Sequence, residues 1–191
     1  MNLPQLAAAF AVGLVIAIVG FVVLATYNAI VALRQRIDKA WSNIDVVLKQ
    51  RHDQLPNLVA AVRGMMTFEQ DVLTRVTLAR AAYSPTAPLP DQAVVSDATT
   101  SAVRSLLAVV ERYPDLKSQG NVADLQDEIE RLEAMIADRR ELYNDQVYRY
   151  NTRIAQVPGL LLAGIFGWGR RDFFAAQPGD RANPDTTLRP S

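Results

Sequence analysis

The stretch LQDEIERLEAMIADRRELYNDQVYRYNTRIAQV, residues 125–157, decides the fold class. Its apolar positions Leu125, Ile129, Leu132, Ile136, Tyr143, Val147, Tyr150, Ile154 and Val157 step mostly by threes and fours. That spacing places them on one face of a helix, and its persistence has the period of a coiled coil. Acidic residues crowd the start (Asp124, Asp127, Glu128, Glu130), and Arg149 and Arg153 sit near the end, the order the helix dipole favours. The spacing predicts one helix from Val122 to Val157.

The rest of the chain repeats the pattern. Residues 91–112 form a helix with Val95, Val103, Leu106, Leu107 and Val110 facing in, preceded by the three prolines of SPTAPLP, a loop signal. A further stripe reads Leu55, Leu58, Val62, Met65, Val72, Val76, Ala79 and Tyr83, and another Ile30, Leu33, Ile37, Trp41, Ile44 and Leu48. Asp53 is a good N-cap and Pro56 fits near a helix start, so a turn is expected after Arg51. A single helix running through Pro56 is the alternative. No period-two strand pattern occurs. Four helices joined by short loops predict an all-α, antiparallel up-and-down four-helix bundle over residues 27–157.

Residues 6–26, LAAAFAVGLVIAIVGFVVLAT, carry no charge, and roughly 20 apolar residues suffice to cross a bilayer. Residues 1–26 are therefore expected to be a transmembrane anchor continuous with the first bundle helix. Arg34, Arg36, Lys39, Lys49 and Arg51 come soon after it, so the positive-inside rule puts the N-terminus outside and the bundle in the cytoplasm. After the last bundle helix, PGLLLAGIFGWGRRDFF (158–174) is too short to span. Phe166, Trp168, Arg170, Arg171, Phe173 and Phe174 suit a headgroup interface, the alternative being a plug at the base of the bundle. Residues 175–191 read as a disordered tail.

Composition excludes several chemistries. Lys+Arg and Asp+Glu are 20 each, so no overall field attracts nucleic acid. Without cysteine there is no thiol catalysis or iron–sulfur centre, and one histidine cannot complete the usual zinc sets. Ser42, Asp45 and His52 share one helix, with Ser42 and His52 about 15 Å apart at 1.5 Å per residue, so they form no triad. No cofactor is expected. Glu69 and Arg139 both fall on helix stripes at similar depth, which suggests a buried ion pair. Lys49, Arg51, His52 and Asp53 sit at the expected turn and form a candidate docking corner for protein partners.

The segments YNAIVALRQRIDKAWSNIDVVLKQRHDQLPNLVAAVRG, ERYPDLK, LQDEIERLEAMIADRRELYNDQVYRYNTRI and VPGLLLAGIFGWGRRDFF together resemble the LemA family over roughly residues 27–174. The resemblance implies a membrane-anchored, up-and-down four-helix bundle on the cytoplasmic side and no enzymatic activity. Departures include Gln35, Gln50, Phe68 and Val157. The expected function is a non-enzymatic, membrane-tethered interaction module with membrane or cytoplasmic protein partners. The alternative is a membrane-shaping, self-associating scaffold that grips the bilayer through anchor and C-terminal segment.

Overall fold

A computed structural model describes residues 2–63, 70–114 and 120–174. Regular structure among them is entirely helical: α1 (Leu3–Arg63), α2 (Gln70–Ala81), α3 (Leu89–Val110), α4 (Gly120–Ala155) and α5 (Gly159–Phe166). The expected tail, residues 175–191, and Glu69 lie outside the described residues.

The turn expected after Arg51 is absent, because α1 is one helix of 61 residues with Pro56 inside it. Two physical features carry it through. Ile30, Ile37, Ile44, Arg51 and Leu58 are buried at seven-residue intervals, as are Leu48, Leu55 and Val62, so the buried face passes Pro56 without a change of phase. Proline also removes the N–H that would satisfy the His52 carbonyl one turn back. Arg80 of α2 donates to that carbonyl instead, with Nε 3.4 Å away. Packing and a substitute donor thus override the local signal. The second stripe read from the sequence is split: Leu55, Leu58 and Val62 belong to α1, Val72 and Val76 to α2.

The chain divides into two compact units, one within Met1–Trp41 and Leu142–Phe173, the other within Ser42–Glu141 and from Phe174 on. In the first unit Ile30 and Ile37 of α1, Tyr143, Val147, Tyr150 and Ile154 of α4, and Leu162 and Ala163 of α5 are buried. Every residue from 2 to 22 is exposed. The second unit buries Ile44, Leu48, Leu55, Leu58 and Val62 of α1 with Val72, Leu73 and Val76 of α2. Ala93, Val103, Leu106 and Val110 of α3 and Val122, Ile129, Leu132 and Ile136 of α4 complete that core. Each fully buried leucine or isoleucine there contributes about 1.5–3 kcal/mol relative to exposure.

Candidate functional site

The most enclosed polar cluster lies in the second unit and is built on Arg51. Its guanidinium Nη1 donates to Glu133 Oε1 at 2.8 Å and to Thr100 Oγ1 at 2.9 Å. Nη2 donates to Ser96 Oγ at 3.1 Å and to the Ser96 carbonyl at 3.4 Å. The Thr100 hydroxyl in turn donates to Glu133 Oε2 at 2.7 Å, which closes a ring of Arg51, Thr100 and Glu133. Only 4% of the Arg51 side chain is exposed, so the charge is desolvated and held by its partners. Nearby, Arg140 of α4 pairs with Asp97 of α3 and lies 4.4 Å from the ring centroid of Phe174. Chemically these groups are spent on one another: the carboxylate of Glu133 is already accepting from a cation and a hydroxyl. They tie α1, α3 and α4 to one another.

Several expected sites move. Lys49, Arg51, His52 and Asp53 do not form a corner, since α1 carries them on successive faces of one helix. Lys49 and Asp53 are exposed, His52 is half-buried, and Arg51 is buried at 3% exposure. Arg51 is therefore a core residue and not a docking one. Arg139 is half-buried, and its expected partner Glu69 lies outside the described residues. The buried arginine of that pair of positions is Arg140. The two buried ion pairs among the described residues are marked by phase: Glu133, Arg140, Val147 and Ile154 recur every seven residues, as Arg51 does with Ile44 and Leu58.

His52 packs its ring 4.8 Å from that of Tyr83, whose hydroxyl donates to Asp45 Oδ1 at 3.4 Å. Its Nδ1 is buried and makes no hydrogen bond with protein. Burial pushes the imidazole pKa below its ordinary value of 6.5, Arg80 lowers it further, and Asp53 opposes them. Burial, then Asp45, raises the Tyr83 hydroxyl. Both shifts favour the neutral form. Among the described residues no group of three or more His, Asp or Glu side chains is placed to hold a metal ion.

In the first unit, the segment after α5 runs back along α4. Gly167 ends α5 in the left-handed conformation (φ 63°), which glycine adopts without strain. The Asn151 side chain then takes both backbone groups of Arg171, donating to its carbonyl at 2.9 Å and accepting from its N–H at 2.9 Å. The hydroxyls of Tyr150 and Tyr143 donate to the carbonyls of Gly169 (3.0 Å) and Asp172 (3.1 Å). Tyr143, Tyr150 and Asn151 thus serve as a clamp. Burial raises the Tyr143 hydroxyl pKa. Phe166 and Trp168 stack at 5.1 Å, both rings contact Tyr27 (5.1 and 5.5 Å), and the Arg34 guanidinium sits 5.8 Å from Trp168. Arg171 reaches Asp38 at 3.5 Å and Arg170 is exposed. Phe166 and Phe173 are each 50% exposed, whereas Phe174 is 1% exposed and belongs to the core of the second unit. Phe174 therefore leaves the expected interface set, because it packs against Arg140.

Comparison with known proteins places this architecture. The chain is 36% identical over 78 residues to each of two proteins of Paramagnetospirillum magneticum, named magnetosome protein MamQ 1 and MamQ 2. Those matches cover 41% of this chain and only 29% of each relative's length. Magnetosome protein MamQ of Magnetospirillum gryphiswaldense is 23% identical over 192 residues, 86% of this chain and 71% of that protein. A family model, that of the LemA family, matches residues 40–187. That match spans more than three quarters of the sequence and includes both buried ion pairs and the C-terminal segment; the chain belongs to the LemA family.

Proposed function

We propose that this protein is a single-pass, membrane-anchored helical module that works by binding partner proteins and not by catalysis. Its N-terminus lies outside the cell membrane and its helical body in the cytoplasm. The observation that carries this reading is the run from Leu6 to Thr26, 21 residues of uncharged helix, with every residue up to Val22 exposed. Such a surface is costly in water and matches the hydrocarbon thickness of a bilayer. Arg34, Arg36 and Lys39 after the run favour the cytoplasmic side for the remainder of the chain. α3 is also long and apolar enough to span, but half of its most apolar stretch is buried and it carries Asp97 and Arg104, which fits a core helix.

The body is an antiparallel up-and-down four-helix bundle. Two sets of contacts support that topology. Asp97 and Thr100 on α3 meet Arg140 and Glu133 on α4, in opposite order along the two helices. Asp45 and His52 on α1 meet Tyr83, two residues past the end of α2, and Arg80 on α2, again in opposite order. A binding role agrees with polar chemistry that is closed on itself in the core while Lys49 and Asp53, one helical turn apart, stay exposed on α1. Charge reversal at both (Lys49→Glu, Asp53→Lys) should preserve folding and membrane retention while reducing in-membrane crosslinking to partner proteins at least several-fold. Unchanged crosslinking would remove this face as the binding surface. A second reading, a scaffold that grips the bilayer at two places, is favoured by the exposed apolar side chains of α5.

A further inference from the structure

We propose that α5 is a second membrane contact, lying in the headgroup layer of an anionic bilayer beside the anchor. This rests on the anchoring of Leu6–Thr26 proposed above. α5, GLLLAGIF, has no charge and buries Gly159, Leu162 and Ala163. Its other face turns outward, with Leu161 62% and Ile165 76% exposed and Leu160 and Phe166 at least half exposed. Eight residues span about 12 Å, too short to cross and suited to lie along the interface.

Contacts within the first unit fix the depth. The Phe166 ring lies 5.1 Å from that of Tyr27, the first residue beyond the apolar run. At the other end of α5 a Cβ on Gly159 would come within 3.4 Å of Ile30 Cδ1, one turn further along α1. α5 therefore sits beside the single turn of α1 just past the anchor, the level of headgroups if the anchor spans. Tyr27, Phe166 and Trp168 gather there with Arg34, the ring-and-cation combination that membrane interfaces favour.

Charge selects the lipid. The first unit holds seven Lys and Arg against three Asp, a net of +4, while the remainder holds 13 against 17, a net of −4, although the whole chain is neutral. Five of the seven are exposed, Arg153 and Arg170 among them, and Arg170 stands at the rim of an open apolar hollow of about 530 Å³ between α4 and α5. A cation at the edge of an apolar surface is the arrangement that takes an anionic headgroup while its acyl chains meet the leucines.

The chain has no cysteine, so single nitroxide labels can be placed in the full-length protein in nanodiscs. Labels at Val15→Cys and Ile165→Cys should be more accessible to oxygen than to a water-soluble nickel complex in discs containing phosphatidylglycerol, and a label at Val94→Cys the reverse. In purely zwitterionic discs the Ile165 label should shift toward water while Val15 does not. Arg153→Gln with Arg170→Gln should lower the inserted-to-solvated ratio at Ile165 roughly tenfold or more at low salt, since each surface cation contributes about a factor of five. An Ile165 label in water, or hidden from both reagents by protein, while Val15 is in lipid, overturns the inference and leaves the anchor standing. Equal insertion in both lipids overturns the anionic selectivity. A Val15 label in water removes the anchor and this contact together.

Discussion

Arg51 shows how much one residue can decide in this protein. It occupies a position where its neighbours in phase, Ile44 and Leu58, are fully buried, and it is tolerated because Glu133, Thr100 and Ser96 meet it. Removing the carboxylate leaves an unpaired buried cation, so Glu133→Ala should lower the unfolding free energy by about 3 kcal/mol. Replacing both partners with apolar residues (Arg51→Met with Glu133→Leu) should recover most of that loss. Urea unfolding of the detergent-solubilised chain measures both, and an additive double variant would contradict the pairing. His52 adds a pH dependence of defined sign. Its folded pKa lies below the unfolded value of 6.5, so the unfolded state takes up the proton first. Its contribution to stability is constant above pH 6.5, falls as pH drops from there through the lowered folded value, and then levels off. His52→Gln should flatten the unfolding midpoint against pH over that window. The sequence made the buried stripes legible but misplaced Arg51. Pro56 and Asp53 imitate a helix start, which moved Arg51 to an apparent corner.

At the scale of elements, α1 and α5 each depend on one unusual backbone position. Pro56 leaves the His52 carbonyl without its helical donor, and Arg80 covers it from α2. Pro56→Ala should stabilise the protein by about 1–3 kcal/mol, because proline in a helix interior costs about 3 kcal/mol and part of that is already offset. In that background Arg80→Leu should cost less than in the parent chain, by about 1 kcal/mol, the net value of the hydrogen bond. A double-mutant cycle with no coupling would separate the two residues. Between α4 and α5, a Cβ on Gly159 would collide with the Arg153 carbonyl oxygen, a backbone atom that cannot step aside. Gly159→Ala should therefore displace α5 and lower thermal stability, seen as an earlier melting transition and loss of the Tyr27 ring contacts by near-ultraviolet circular dichroism. The sequence marked this segment as aromatic and basic. It did not disclose that α5 and its return along α4 are separate pieces, because the clamp from Asn151 binds backbone and leaves no residue-type signature at Arg171.

At the scale of the whole molecule, the composition conceals a division of labour. A neutral chain carries +4 on the unit that contains the apolar run and −4 on the rest, which the overall count of 20 and 20 cannot reveal. The apolar run itself was fully legible, since length and absence of charge are sequence properties. If it anchors the protein, alkaline carbonate should fail to extract the full chain from membranes, while replacing Val15 and Val19 with arginine should release it or block insertion, each charge near a span centre costing about 2.5–3.5 kcal/mol. The central claim is the anchored topology, and site-directed cysteine labelling of intact cells tests it most directly. With a membrane-impermeant maleimide, Asn2→Cys should label from outside, and Asp91→Cys, exposed at the start of α3, should label only after the membrane is permeabilised. Labelling of Asp91→Cys in intact cells, or protection of Asn2→Cys, would contradict that topology.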